Sequence, residues 1–274
     1  MDLLGEHPSI PIGVAILTAV YIGAGRAIGR RPERRQAMWF ALAMAAILFT
    51  QIELDELADS RIFAMHMAEH LAQAFVIPPL LLLATPDWMI RPLALSRSIR
   101  PFARLLTNPL AAFLVFSAVF AAAHFPPVFD LMCRDENFHI AVHLAFMASG
   151  VLLWWPILSP LPELPRLSYP AQILYLFLLM IPMTAVAAPI TLASGVIYPW
   201  YTEGPHGWGL RPLEDQILGG LLMWVGQGAY LMFIFTMIFY KWSRREDRDV
   251  PEIRKTPPLA GASPIKRIHS ARSA

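Results

Sequence analysis

The chain has 274 residues, 56% of them apolar and only 15% charged, with a net charge of +2. This composition, with a mean hydropathy of +0.49, excludes an ordinary soluble domain and gives no sign of a nucleic-acid partner. The single cysteine, Cys133, excludes an internal disulfide and any C-x-x-C pair for zinc or redox work.

The opening MDLLGEHPSIPIG has no basic n-region, so the first apolar run is expected to be a retained span and not a cleaved leader. Seven runs follow, at about 8–25, 37–54, 62–85, 109–126, 138–158, 170–195 and 213–241. Each approaches the ~20 residues that cross a ~30 Å hydrocarbon core as a helix. The expected fold class is all-α: a polytopic membrane protein of seven transmembrane helices. Pro126-Pro127 break the end of the fourth run, while Pro78-Pro79, Pro182 and Pro189 fall inside spans. Such prolines are tolerated where neighbours satisfy the carbonyls they free. The expected division is a membrane domain over 1–242 and a basic, disordered tail over 243–274.

The basic residues set an expected orientation. Arg26, Arg30, Arg31, Arg34 and Arg35 follow span one; Arg91, Arg97, Arg100 and Arg104 follow span three; Arg166 follows span five; the rest begin at Lys241. Of the 22 Lys and Arg, only Arg61, Arg134 and Arg211 fall on the other side. The positive-inside rule then puts the N-terminus outside and the C-terminus inside. An odd number of spans demands the same split.

Of the eight histidines, His269 lies in the inner tail, and His7 and His206 read as solvated residues of outer segments. The other five share one depth. His66 and His70 lie roughly 6 and 12 Å below the outer end of span three at 1.5 Å per residue. His124 ends span four, and His139 and His143 open span five. Each i,i+4 pair presents two imidazoles on one helix face. Ionisable groups at membrane depth are costly and tend to be functional. Neutral imidazole is a ligand for copper, zinc and iron, so a shared metal or cofactor site is expected here.

Met65, Met67 and Met132 are soft donors at the same level, suited to Cu(I) or to plain packing. Cys133 is a thiol between His124 and His139, either ligand or inert. Glu53, Asp55, Glu56 and Asp59 form an acidic cluster that reads as a solvated loop or as a cation attractor. Tyr198, Trp200, Tyr201 and Trp208 suit an aromatic belt. Asp215 and Gln216 enter span seven at its first turn, where the helix dipole favours a carboxylate; orienting a ligand imidazole is the alternative.

Several chemistries fit the histidines. Two imidazoles on different helices can bind haem iron in an electron carrier. HMAEH (66–70) also matches the inverted zinc-protease pattern, with Glu69 as base, but span five offers no further carboxylate between Phe138 and Leu158. A metal-free scaffold is a further reading.

The segments HMAEHLAQAFVIPPLLLLATP (66–86), HFPPVFD (124–130), HIAVHLAFMASGVLLWWPIL (139–158), YPWY (198–201) and DQILGGLLMW (215–224) together resemble the multi-span CtaG family of cytochrome c oxidase assembly factors, found with caa-type oxidases. The resemblance covers about residues 60–240. It implies a non-catalytic seven-helix protein of the bacterial plasma membrane that acts in copper delivery or insertion. Its partners would be oxidase subunits, periplasmic copper chaperones and the lipid bilayer. Its motif histidines fall on His66, His70, His124, His139 and His143; Tyr198, Asp215, Gln216 and Met223 also occupy motif positions.

Overall fold

A computed structural model describes residues 9–54, 61–203 and 209–255. His7, Asp55, Glu56, Asp59, His206, Trp208 and His269 lie outside the described residues, as does the side chain of Glu53. Among the described residues the structure is helical, without a strand. The helices in chain order are α1 (Ser9–Ile28), α2 (Arg34–Leu48), α3 (Phe63–Ala84), α4 (Asp87–Ala94), α5 (Arg100–Leu106), α6 (Pro109–Ala123), α7 (Pro126–Arg134), α8 (Glu136–Leu158), α9 (Tyr169–Leu192) and α10 (Pro212–Lys255, of which Pro212–Glu246 is the candidate span). Six are long and apolar enough to cross a membrane; the α5–α6 pair, bent by 72°, makes a seventh candidate.

The seven expected runs are therefore all helical. Two differences concern ends. The last helix continues through Ser243 to Lys255, so the segment read as a disordered tail begins as helix; residues 256–274 lie outside the described residues. The fourth span stops at Ala123, because Pro126 and Pro127 cannot donate to the preceding turn, and α7 starts anew at Pro126. At its other end Asn108 caps α6, accepting from the amides of Leu110 at 3.0 Å and Ala111 at 3.4 Å.

Helix α3 is the spine of the bundle. Over half of its apolar window is buried, against 6% for α1. It packs on α2, α8 and α10, whereas α1 lies at the edge and shows Ile12, Ile16 and Val20 to the outside. Outward-facing apolar side chains are the expected surface where the solvent is lipid.

Pro78 and Pro79 sit inside α3 and remove two amide donors. The carbonyls four residues earlier, Ala74 and Phe75, lose their helical partners, and the helix widens into a π turn at Ala72–Val76. Both carbonyls are taken up by neighbours. Trp154 of α8 donates its indole N–H to Ala74 at 2.9 Å, and Tyr230 of α10 donates its hydroxyl to Phe75 at 2.6 Å. The break in α3 is thus sewn to the two helices beside it.

Glycines set the closest approaches. A Cβ on Gly150 of α8 would lie 2.8 Å from Pro78 Cγ and 3.2 Å from the Ala74 carbonyl. A Cβ on Gly219 of α10 would strike the Phe63 ring, and one on Gly220 would come within 2.9 Å of the Thr191 backbone nitrogen in α9. These contacts draw α8 and α10 against α3 and hold the start of α10 beside the start of α3.

Candidate metal site

Two helical pairs and two glutamines build the site. His66, Glu69, His70 and Gln73 follow one face of α3 at the three- and four-residue spacing of a helix. His139 and His143 follow one face of α8. His66, Glu69, His70, Gln73 and His143 are buried, while His139, at the rim, and Gln51, just beyond α2, are half-buried.

The imidazoles converge through their Nε2 atoms. His66 Nε2 is 3.0 Å from His70 Nε2, His70 Nε2 is 3.2 Å from His143 Nε2, and His143 Nε2 is 2.9 Å from His139 Nε2. A tetrahedral ion with ~2.0–2.1 Å bonds holds its nitrogens ~3.3 Å apart. The nitrogens already stand close to that spacing.

The outer ring atoms decide where the protons sit. His124 Nδ1 lies 2.7 Å from the Phe120 carbonyl, which can only accept. Its proton is therefore on Nδ1, and its Nε2 is a lone pair. That lone pair faces His70 Nδ1 at 3.4 Å, which places the His70 proton on Nδ1 and a lone pair on His70 Nε2. His143 Nδ1 lies 3.1 Å from Glu69 Oε1. Gln73 Nε2, a donor, lies 2.9 Å from the same Nδ1, so the two neighbours of this atom favour opposite tautomers. The His124 and His70 tautomers are assigned from the acceptors present. The bare His70 Nε2 stands 3.0 Å from His66 Nε2 and 3.2 Å from His143 Nε2, placed to ligate a cation held among them.

Glu69 is fully buried, and a buried carboxylate needs donors. Gln73 Nε2 supplies one at 2.9 Å and Gln51 Nε2 another. Ligand atoms of His66, Glu69, His139 and His143 all lie within 4.8 Å of one another. Rings pack around the cluster: Phe146 stacks on His70 at 4.8 Å, and Phe129 lies 5.0 Å from His66.

The remaining candidates fall around this centre. His124 is one contact removed from the converging nitrogens and bonds to them through His70. Tyr198 is buried, not in a headgroup belt; its hydroxyl donates to the His124 carbonyl at 2.9 Å. Asp215 accepts from the amides of Phe63 at 2.5 Å and Ala64 at 3.1 Å. It thereby caps α3 from another helix, and α3 is the helix that carries His66. Gln216 accepts from Ile197 and donates to the carbonyls of Ile190 and Gly195, so it ties the end of α9 to α10. Met67 packs beside Gly219, and Met223 lies beside Met180 and Met183. Met132 and Cys133 line a cavity of about 750 Å³ that reaches His139 and His143 and is walled on its far side by α1.

Above the cluster the turn Pro199–Thr202 is clamped. Arg61, in the left-handed region at φ 62°, donates to the Trp200 carbonyl and lies 4.0 Å over its ring. Arg134 lies 5.2 Å from the same ring and pairs with Asp130 and Glu203. The clamp delivers Tyr201, whose hydroxyl is 3.1 Å from His66 Nδ1.

Residues 19–245 match the model of the cytochrome c oxidase caa3 assembly factor family. The chain belongs to that family. Among curated proteins this family member is 29% identical, over 260 residues, to uncharacterized proteins of Mycobacterium bovis and Mycobacterium tuberculosis, covering 86% of this chain and 39% of theirs. It is 27% identical over 267 residues to an uncharacterized protein of Mycobacterium leprae, covering 90% and 40%. The chain thus spans about two fifths of the length of these relatives. No solved structure matches this chain.

Sequence reasoning sets Glu69 aside for want of a carboxylate partner in span five, reads Tyr201 as a belt residue and passes over Gln51 and Gln73. The signal for three of them is nonetheless present. Glu69 and Gln73 are polar groups inside an apolar run, at helical spacing from His66 and His70, and Gln51 interrupts the apolar run of span two.

Proposed function

We propose that this chain serves cytochrome c oxidase assembly by holding Cu(I) on the Nε2 atoms of His66, His70, His139 and His143 and passing it to an oxidase subunit at the outer face of the bacterial plasma membrane. The role is that of a carrier, not a catalyst. One observation carries the reading: four imidazole nitrogens in succession at 2.9–3.2 Å. Copper as the cargo, oxidase subunits as recipients and copper chaperones as donors rest on the family.

The residues have separate parts. His124 holds the His70 imidazole in the ligating tautomer, Glu69 and Gln73 hold the ring of His143 in place, and such outer partners strengthen binding. His139 is the least buried member and the natural point of ligand exchange. The cavity beside it offers Met132 and Cys133, soft donors for an ion on its way in or out.

Copper measured in the purified full-length protein tests this. Wild type should retain copper, and the His66→Ala/His70→Ala variant should lose nearly all of it. Equal copper in the two would remove these residues from the site.

A second reading is a zinc site, because the Glu69 carboxylate lies within reach of the same imidazoles and an oxygen ligand suits zinc. Zinc retained in preference to copper, and lost in Glu69→Gln, would favour it. A bis-imidazole haem has less support. It needs a flat macrocycle between two rings, and His66, His70, His139 and His143 pack directly on one another with centroids 4.0–5.7 Å apart.

A further inference from the structure

At the end of the bundle opposite the histidines, the beginnings of α2 and α9 and the ends of α3, α8 and α10 enclose a second cavity, of about 680 Å³. Four cations line it from separate parts of the chain: Arg35 on α2, Arg166 before α9, and Lys241 and Arg245 one turn apart on α10. Among the described residues, none of the four has a carboxylate within salt-bridge distance. Arg166 donates its Nε to the Ser159 carbonyl at 2.9 Å. This fixes the stem and leaves the two terminal nitrogens to the cavity. Glu246 is the one acid along the wall, and it is occupied by the Trp242 indole at 3.0 Å.

Deeper in, the wall becomes apolar and aromatic, with Leu83, Trp154, Ile157, Tyr230 and Ile234. Between the two zones stands Trp39, one turn along α2 from Arg35. Its indole nitrogen is buried and has no hydrogen-bond partner. A buried N–H left unmatched costs about 1–3 kcal/mol; a small turn of the ring toward the cavity would let a ligand oxygen recover that cost.

A cationic mouth, an unmatched donor just inside it and an apolar floor describe an amphiphile with an anionic, oxygen-rich head. We propose that this cavity binds an anionic phospholipid. Its phosphodiester oxygens would be held by Arg35, Arg166, Lys241 and Arg245 and by the Trp39 indole N–H, with an acyl chain along the Trp154–Tyr230 wall. Basic pockets between spanning helices are a recurrent mode of lipid recognition. Trp154 and Tyr230 are also the donors that close the proline break in α3, so the bound chain would lie against the side chains that brace the histidine helix.

Native mass spectrometry of the full chain in detergent tests the proposal, with phosphatidylglycerol, phosphatidylcholine and inorganic phosphate titrated separately. Phosphatidylglycerol should bind most tightly. Lys241→Gln/Arg245→Gln, at the exposed end of α10, should weaken it by about 30-fold, the sum of two surface cations acting on an anionic lipid. Trp39→Phe should weaken it by several-fold while the helical circular dichroism stays unchanged. Phosphatidylcholine binding equal to phosphatidylglycerol would overturn the proposal, as would unchanged affinity in both variants. Tight uptake of inorganic phosphate without a lipid preference would replace it with a phosphate site. Copper content, read on the same samples, reports on the histidine end separately.

Discussion

Trp154 donates its indole hydrogen to the carbonyl of Ala74 at 2.9 Å, the group that Pro78 leaves without a helical partner. The hydrocarbon core of a bilayer supplies no water to take its place. Trp154→Phe keeps the aromatic bulk and removes the donor. The variant should lose about 1 kcal/mol of stability, the scale of interhelical hydrogen bonds in membrane bundles, seen as a lower thermal midpoint in detergent. A midpoint equal to wild type would mean that the widened turn closes on itself without help.

His124 contacts the cluster through a single atom pair, its Nε2 with His70 Nδ1 at 3.4 Å. It therefore orients a ligand more than it acts as one. His124→Ala should lower copper affinity by roughly 10–100-fold, the range for outer partners of a ligand imidazole, and should leave the stoichiometry unchanged. Competition against a chelator of known strength reads this directly. Complete loss of copper would make His124 a ligand in its own right.

Asp215 caps α3 across the helix–helix boundary. Loss of a capping carboxylate costs about 0.5–2 kcal/mol. Asp215→Ala should destabilise the protein by that amount and also fray the turn that carries His66, so copper retention should fall with it. Asp215→Asn keeps an acceptor oxygen and should restore most of both. A variant with normal stability and no copper would instead point to direct metal contact.

The clamp over the site responds to acid. The hydrogen bonds from Arg134 hold the Glu203 carboxyl below its ordinary range, and Glu203 in turn raises the Arg134 guanidinium. The contribution of the pair is thus fully present above the usual carboxylate pKa and is lost as pH falls through the lowered value. Wild type should be more heat-stable than Glu203→Gln at neutral pH, and the gap should close in acid. Because both groups are exposed, salt at about 0.5 M should narrow the same gap. A gap that is independent of both pH and salt would assign it to packing.

The spans and the histidines are legible in the sequence for simple reasons. Apolar runs report burial in lipid, and i,i+4 spacing reports a shared helix face, so His66 pairs with His70 and His139 with His143 on spacing alone. Their meeting across α3 and α8 depends on the rotation of each helix, which hydrophobicity that is nearly uniform around a span does not encode. Glu69 is conspicuous in an apolar run, yet its partners are an imidazole and two amides, not a second carboxylate. The roles of Tyr198, Tyr201 and Asp215 are hidden for another reason: each acts on a residue more than 70 positions away. A local reading can assign such groups only to a surface belt or a helix dipole.

Gly150 lies two turns beyond His143, where α8 touches α3 against Pro78 and Ala74. That contact sets how far apart the two helices run, and so the bite of four nitrogens ~10 Å up the bundle at 1.5 Å per residue. Coordination geometry at the histidines is therefore governed by a residue that has no side chain and touches no ligand. A single methyl group there acts as a wedge at the foot of a pair of tongs, opening the jaws without altering either one.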